Sequence, residues 1–306
     1  MHHLSSIADL SAENIRAIFS KADELKAMSA TELNTRLQHR ILANLFFEPS
    51  TRTRLSFESA AKQLGMHVLT MNEHQSSRVK GETYLDTLIT LQAVGAEIFV
   101  IRSKDEKICN ELAIQMSRLH PNTHIINGGG GTLNHPTQGL LDVYTMLQHH
   151  SDLESAKIVI VGDIKHSRVA RSTCQCLNAL GITNISLVAP QHLLPEASEF
   201  TTSKQGTDLD TALENADIVM ALRIQKERML DGEIPDNDSY HQRYGINSQR
   251  LEKTCPQALV MHPGPMNRGV EISSELADSQ RSLISAQVNN GLFIRMALFD
   301  LLLNKQ

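Results

Sequence analysis

Short runs of Ile, Val and Leu alternate with helical segments along this chain, and the alternation restarts after about residue 150. Strands covered on both faces read as unbroken apolar runs, and parallel strands need a crossover between them. Strands are therefore predicted at Arg40–Phe47, His67–Met71, Ile98–Ile101 and His124–Ile126, then at Lys157–Val161, Asn184–Ala189, Asp217–Ala221 and Ala258–Met261. Helices are expected from Ser50 to Gly65, at Glu82–Val94, Asp105–Leu119, Pro136–His149 and Arg168–Leu180, and at Ser285–Asn304. Ser11 reads as an N-cap ahead of Ile15, Ile18, Phe19, Ala22 and Leu25 at helical spacing. The fold class is α/β, with two domains, each a parallel β-sheet flanked by helices. A chain of 306 residues is long enough for both.

Composition narrows the partners. Lys plus Arg is 29 against Asp plus Glu at 34, a formal net charge of −5, which lacks the cationic footprint of a general nucleic-acid binder. No apolar run approaches the roughly 20 residues of a membrane helix. Met1-His2-His3 offers no basic region followed by an apolar core, so no secretory signal is expected. Cys109, Cys174, Cys176 and Cys255 form no C-x-x-C pair, and a reducing, cytoplasmic setting is the simplest reading. Adjacent His149 and His150 on a helix point in different directions, so no metal is expected there.

In parallel sheets, ligands bind beyond the carboxyl ends of the strands, where loops and helix N-termini converge. The first predicted strand leads into Glu48-Pro49-Ser50-Thr51-Arg52-Thr53-Arg54, and the third into Arg102. The fourth leads into Asn127-Gly128-Gly129-Gly130-Gly131 and then His135-Pro136-Thr137-Gln138. In the second half the exits are Gly162-Asp163-Ile164-Lys165-His166-Ser167-Arg168, Arg223-Ile224-Gln225-Lys226-Glu227-Arg228 and His262-Pro263-Gly264-Pro265. Cations and hydroxyls thus collect at one edge of each sheet, a pattern suited to an anionic ligand with several charges.

Ser50–Arg54 opening a helix is the sharpest item, because small hydroxyl residues let backbone N–H groups face an anion and Arg52 can clamp its oxygens. The same segment is also compatible with a Ser N-cap followed by solvated arginines. The glycine run lacks the G-x-G-x-x-G spacing of a dinucleotide loop and fits either close backbone approach to a ligand or a flexible connection. His135 reads equally as a structural histidine or a ligand donor. Asp163 and Glu48 are expected to orient arginines. No G-x-S-x-G elbow supports a serine triad.

The segment Phe47–Arg54, with His135-Pro136-Thr137-Gln138, Arg223–Arg228 and His262-Pro263-Gly264-Pro265 in the same order, resembles the aspartate and ornithine carbamoyltransferases over nearly the whole chain. The first signature is shared across that family and implies the donor, carbamoyl phosphate. The acceptor is set elsewhere. An ornithine-type chain would carry a Ser-Met-Gly loop and a Cys after the last strand's His; here Cys255 precedes that strand, and Arg223 with Gln225 suits the second carboxylate of aspartate. The resemblance implies an active site in the cleft between a carbamoyl-phosphate-binding domain (1–150, with a C-terminal helix at about 285–306 packing back on it) and an aspartate-binding domain (151–284).

Carried onto matching positions, Ser50, Thr51, Arg52 and Thr53 would hold the phosphate, with Arg102 contacting the donor as well. Thr53, Arg102 and His135 would lie near the carbonyl oxygen and Gln138 near the carbamoyl nitrogen. Arg168 and Arg223, assisted by Gln225, would bind the carboxylates of aspartate, and Gly264 and Pro265 would place backbone carbonyls near the carbamoyl group and the attacking amine. Ser76 and Lys80, in the polar loop Asn72–Gly81, would reach a neighbouring subunit's site, with Lys80 meeting aspartate, and make the catalytic unit a homotrimer. The implied reaction is carbamoyl transfer in pyrimidine biosynthesis, with no cofactor, metal, nucleic acid or membrane as partner. Assembly with regulatory chains or dihydroorotase is left open by the resemblance.

Overall fold

The structure is a computed structural model and describes residues 1–72, 81–229 and 236–304. By contact density the chain divides into two compact units, Met1–Leu140 with Asn290–Gln306, and Leu141–Asn289.

The first unit opens with α1 (Ala12–Ala27) and α2 (Ala30–Arg36), followed by β1 (Ile41–Phe46), α3 (Thr51–Gln63) and β2 (His67–Asn72). It continues through α4 (Tyr84–Ala93), β3 (Ile98–Arg102), α5 (Ile108–Leu119) and β4 (His124–Asn127) to α6 (Pro136–His149). The strands form a four-stranded sheet in the order β2-β1-β3-β4. All pairings are parallel, with Phe46 opposite Arg102 and Ile101 opposite Asn127. Ala43, Leu45 and Phe47 share one buried cluster with Phe99, Ile101 and Ile125, and with Leu88 and Met116 from the helices. Burial of such side chains stabilises by about 1.5–3 kcal/mol each, which is why the strand interiors carry no charge.

The second unit contains β5 (Ile158–Val161), α7 (Arg168–Ala179), β6 (Ile185–Val188), β7 (Lys204–Gly206), α8 (Leu209–Leu213) and β8 (Ile218–Ala221). It ends with α9 (Asn237–Tyr244), α10 (Ser248–Thr254), β9 (Leu259–Met261), α11 (Ser274–Ala277) and the start of α12 (Ile284–Leu303). Its five-stranded sheet has the order β7-β6-β5-β8-β9, again parallel throughout.

The eight strands expected from sequence are present, and each differs from its expected bounds by a residue or two. β7 carries no apolar run: it is Lys-Gln-Gly at a sheet edge, where one neighbour supplies the ladder and no core burial is required. The helix expected from Asp105 begins at Ile108, because Asp105 Oδ1 accepts from Lys107 N at 3.0 Å and closes a turn first. The contact division falls inside α6 and α12, at Leu140 and Asn290. The first-unit part of α12 is apolar nearly all round, with Ile294, Met296, Leu298 and Phe299 all at 0% exposure.

Candidate functional site

In the first unit the exits of β1 and β3 run side by side, since Phe47 N donates to Arg102 O at 2.8 Å. Beyond β1, Ser50 sits at the cap position of α3 in an extended conformation, yet its side chain makes no cap hydrogen bond. Ser11, Ser29, Thr83 and Ser167, at the starts of α1, α2, α4 and α7, each accept one from the first turn. The simple N-cap reading of Ser50 is therefore set aside. Thr51 and Arg52 are exposed in that first turn, and Thr53 is half-buried.

Arg102 is 6% exposed at the end of β3. One arm of its guanidinium donates to Glu48 Oε1 at 3.1 Å and the other to the Gly128 carbonyl at 3.3 Å. Glu48 thus orients an arginine, as expected of it. Gly129, with φ of +107°, lies against both Arg102 and His135: a Cβ there would stand 2.9 Å from the guanidinium and 3.3 Å from the imidazole. A side chain at this position would push into both groups. Asn127 holds the turn, accepting from Gly129 N at 2.8 Å and donating to Ser5 O at 2.9 Å. Gln138 N–H donates to the His135 carbonyl at 2.9 Å as α6 begins, and both side chains are buried. The structure therefore brings Arg102 and His135 to the same glycine, with Gln138 buried in the first turn of α6, and sets the α3 N-terminus at the adjacent strand exit.

In the second unit the exits of β5 and β8 approach closely at Gly162, where φ is +134° and a Cβ would lie 2.4 Å from the Leu222 carbonyl oxygen. Asp163 is wholly buried just beyond. Its Oδ1 accepts from His166 N at 3.2 Å and faces His166 Nδ1 at 2.9 Å, while Oδ2 accepts from Gln225 N at 3.2 Å. The expectation that Asp163 would orient an arginine is corrected accordingly, because its bonds fasten the two loops to each other. Gln225 Nε2 and Arg228 also donate to the His166 carbonyl, at 3.0 and 2.9 Å. Arg168 opens α7 at 9% exposure.

Arg223 forms a two-pronged ion pair with Glu227, with Nη1 to Oε2 at 3.0 Å and Nη2 to Oε1. The Arg223 hydrogen bond holds the Glu227 carboxyl below the usual carboxylate range. Beyond β9, Gly264 has φ of +65° and Pro265 is exposed. Ser76 and Lys80 lie outside the described residues.

All four cysteines are free and buried, and burial pushes the Cys109 and Cys174 thiols up to about 12, which suppresses the thiolate. Among the described residues no His, Cys, Asp and Glu group could hold a metal ion, and no helix is long and apolar enough to cross a membrane. Sequence reasoning placed Asn127 at the exit of the fourth strand without giving it a role, and missed the buried Asp142, Glu271 and Gln287 treated below.

Residues 2–148 match the family model for the aspartate/ornithine carbamoyltransferase carbamoyl-P binding domain, and residues 154–302 match that for the Asp/Orn binding domain. The chain belongs to the aspartate/ornithine carbamoyltransferase family. It is 44% identical over 305 residues to the aspartate carbamoyltransferase catalytic subunit of Thermobifida fusca, covering 99% of this chain and 96% of that one. Among solved structures, ornithine carbamoyltransferase from Pyrococcus furiosus superposes with a TM-score of 0.87 at 25% identity, covering 100% and 98% of the two chains. Aspartate transcarbamoylase from Trypanosoma cruzi, in complex with carbamoyl aspartate and phosphate, gives 0.82 at 28% identity, covering 96% and 93%. Backbone likeness spans both acceptor types, so within this family the acceptor is decided by side chains rather than by fold.

Proposed function

We propose that this chain transfers the carbamoyl group of carbamoyl phosphate to the amine of L-aspartate, giving N-carbamoyl-L-aspartate and phosphate, in pyrimidine biosynthesis. The observation that carries the acceptor is Arg223 at the β8 exit, whose guanidinium already grips a carboxylate, that of Glu227, with both arms. Such a fork recognises the side-chain carboxylate of aspartate and repels the side-chain ammonium of ornithine.

In this reading Ser50, Thr51, Arg52 and Thr53 take the phosphate on the α3 N-terminus, where backbone N–H groups and the helix dipole favour an anion. Arg102 and His135, with Thr53, donate to the carbonyl oxygen as negative charge grows on it, and Gln138 holds the carbamoyl nitrogen. Preorganised donors of this kind supply several kcal/mol of transition-state stabilisation. Arg168 and Arg223 bind the carboxylates of aspartate, assisted by Gln225. The neutral amine attacks the carbonyl carbon, the C–O bond to phosphate breaks, and Arg52 and Arg102 stabilise the departing dianion. With the amine's proton transferred to it, the phosphate leaves as hydrogen phosphate, which balances the step. Holding two anions in reacting orientation removes much of the entropic barrier to a bimolecular step.

We further infer a cytoplasmic homotrimer in which Ser76 and Lys80 of one subunit complete the next subunit's site. A colorimetric assay for N-carbamoyl-L-aspartate with the purified chain tests the activity. Turnover with aspartate and none with ornithine is the expected result; binding of carbamoyl phosphate without turnover would leave only an anion-binding protein.

A further inference from the structure

The segment Pro263-Gly264-Pro265 has one backbone N–H to anchor it, that of Gly264, because proline has none. That N–H donates to His262 Nδ1 at 2.9 Å. A ring nitrogen that accepts carries no proton, so the imidazole proton resides on Nε2. Nε2 faces Glu271 Oε1 at 3.1 Å, and Asn267 N–H donates to that same oxygen. One carboxylate oxygen therefore receives both the ring and the far side of the loop. His262 and Glu271 are each 1% exposed, whereas Pro265, Asn267 and Arg268 are exposed.

The backbone of His262 is fixed independently. His262 N–H donates to Gln287 Oε1 at 2.9 Å, Gln287 Nε2 donates to Asp142 Oδ1 at 2.7 Å, and Thr173 Oγ1 donates to Asp142 Oδ2 at 3.1 Å. Asp142 and Thr173 are fully buried and Gln287 nearly so. Farther along, Arg268 grips Asp278 with both arms at 2.7 Å, but within Pro263-Gly264-Pro265 the Gly264 N–H is the single backbone donor.

We propose that Glu271 and His262 are positioning residues, Glu271 selecting the Nε2–H tautomer of His262 so that Nδ1 holds Gly264 and aims the Gly264 and Pro265 carbonyls. This rests on the role given to those carbonyls under the proposed function. Neither side chain touches substrate; both act through the loop. Orienting partners behind a reacting group matter because small misplacements are costly in rate.

Asparagine and glutamine separate the two ring nitrogens. Asn places an oxygen where Nδ1 stands, and Gln places its amide where Nε2 stands. His262→Asn is expected to keep kcat within about fivefold, and His262→Gln to lose roughly tenfold to a hundredfold, the cost of one well-placed hydrogen bond. Glu271→Gln retains an acceptor and should stay near wild type, whereas Glu271→Leu should fall with His262→Gln. The dissociation constant for inorganic phosphate, which probes the α3 N-terminus, should stay within about twofold throughout. A long-range proton–nitrogen NMR spectrum of the unsubstituted protein, labelled at histidine, should show His262 protonated at Nε2 alone. A His262→Gln enzyme with wild-type kcat, or a proton on Nδ1, would overturn the proposal. An inactive unsubstituted enzyme would overturn the proposed function instead, while the NMR spectrum would still decide the tautomer.

Discussion

Arg52 and Arg223 offer the same guanidinium to two different anions, so removing each should produce a different kinetic signature. Arg52 stands in a first turn that the Ser50 side chain does not close. Its truncation leaves charge on the departing phosphate unneutralised. Arg52→Ala is expected to lower kcat/KM by about 10²–10³, equivalent to roughly 3–4 kcal/mol, with the fold intact by circular dichroism. Wild-type kcat/KM in that variant would show that Arg52 plays no part in the reaction. Arg223→Ala should raise the KM for aspartate while the affinity for carbamoyl phosphate is kept, because the donor has no carboxylate for this arginine to grip. Titration with carbamoyl phosphate beside an aspartate saturation curve separates the two effects; lost donor affinity with an unchanged aspartate response would reverse the assignment.

At the scale of elements, the link between α2 and α12 should govern acid stability in the first unit. Arg36 Nε donates to Asp300 Oδ1 at 2.6 Å and Nη2 to Oδ2 at 3.0 Å, and the Asp300 side chain is 2% exposed. Burial pushes the Asp300 carboxyl up, but the hydrogen bond and charge of Arg36, with Asn304 and Lys21, outweigh it and hold it below the usual carboxylate range. A carboxyl depressed by folding contributes stability above its unfolded pKa and loses it as pH falls through the folded value. Asp300→Asn should therefore cost about 2 kcal/mol at pH 7, the scale of hydrogen bonds to a charged group, and nothing comparable once the pH is below the folded value. Urea unfolding of both proteins across the acid range reads this directly; a cost that does not shrink toward low pH would show that packing, not charge, holds the two helices.

For the whole molecule, sharing of sites between chains is testable without further structural detail. Lys80→Ala and Arg52→Ala chains, each inactive alone, should complement when mixed and reassembled. In a random trimer each of the two positions is intact about half the time, so roughly a quarter of sites regain every group. No recovered activity despite demonstrated subunit exchange would show that Lys80 does not complete a neighbour's site. The same mixing with Arg52→Ala and Arg223→Ala chains provides the internal contrast, since both residues are proposed to serve one chain's own site.

Local pattern was enough to read the strands, most crossovers and the residues at each strand exit, because burial imposes an apolar run on every interior strand and polar groups at its end. Thus Arg102, Arg168 and Arg223 are legible from the sequence as a cationic set at strand exits, whereas His135 reads there equally as a structural histidine or a ligand donor. The order β2-β1-β3-β4 was not legible, and it is this order that puts the exits of β1 and β3 side by side. β7 was hidden because an edge strand needs no apolar signature. Asp142, Glu271 and Gln287 were hidden for another reason: a polar residue in a helix or loop reads as solvated unless its partner is known. Gln287 meets Asp142 across 145 positions of sequence. Periodicity reports which face of an element is buried, whereas a hydrogen bond between distant residues exists only once the chain has folded back and excluded water from both partners.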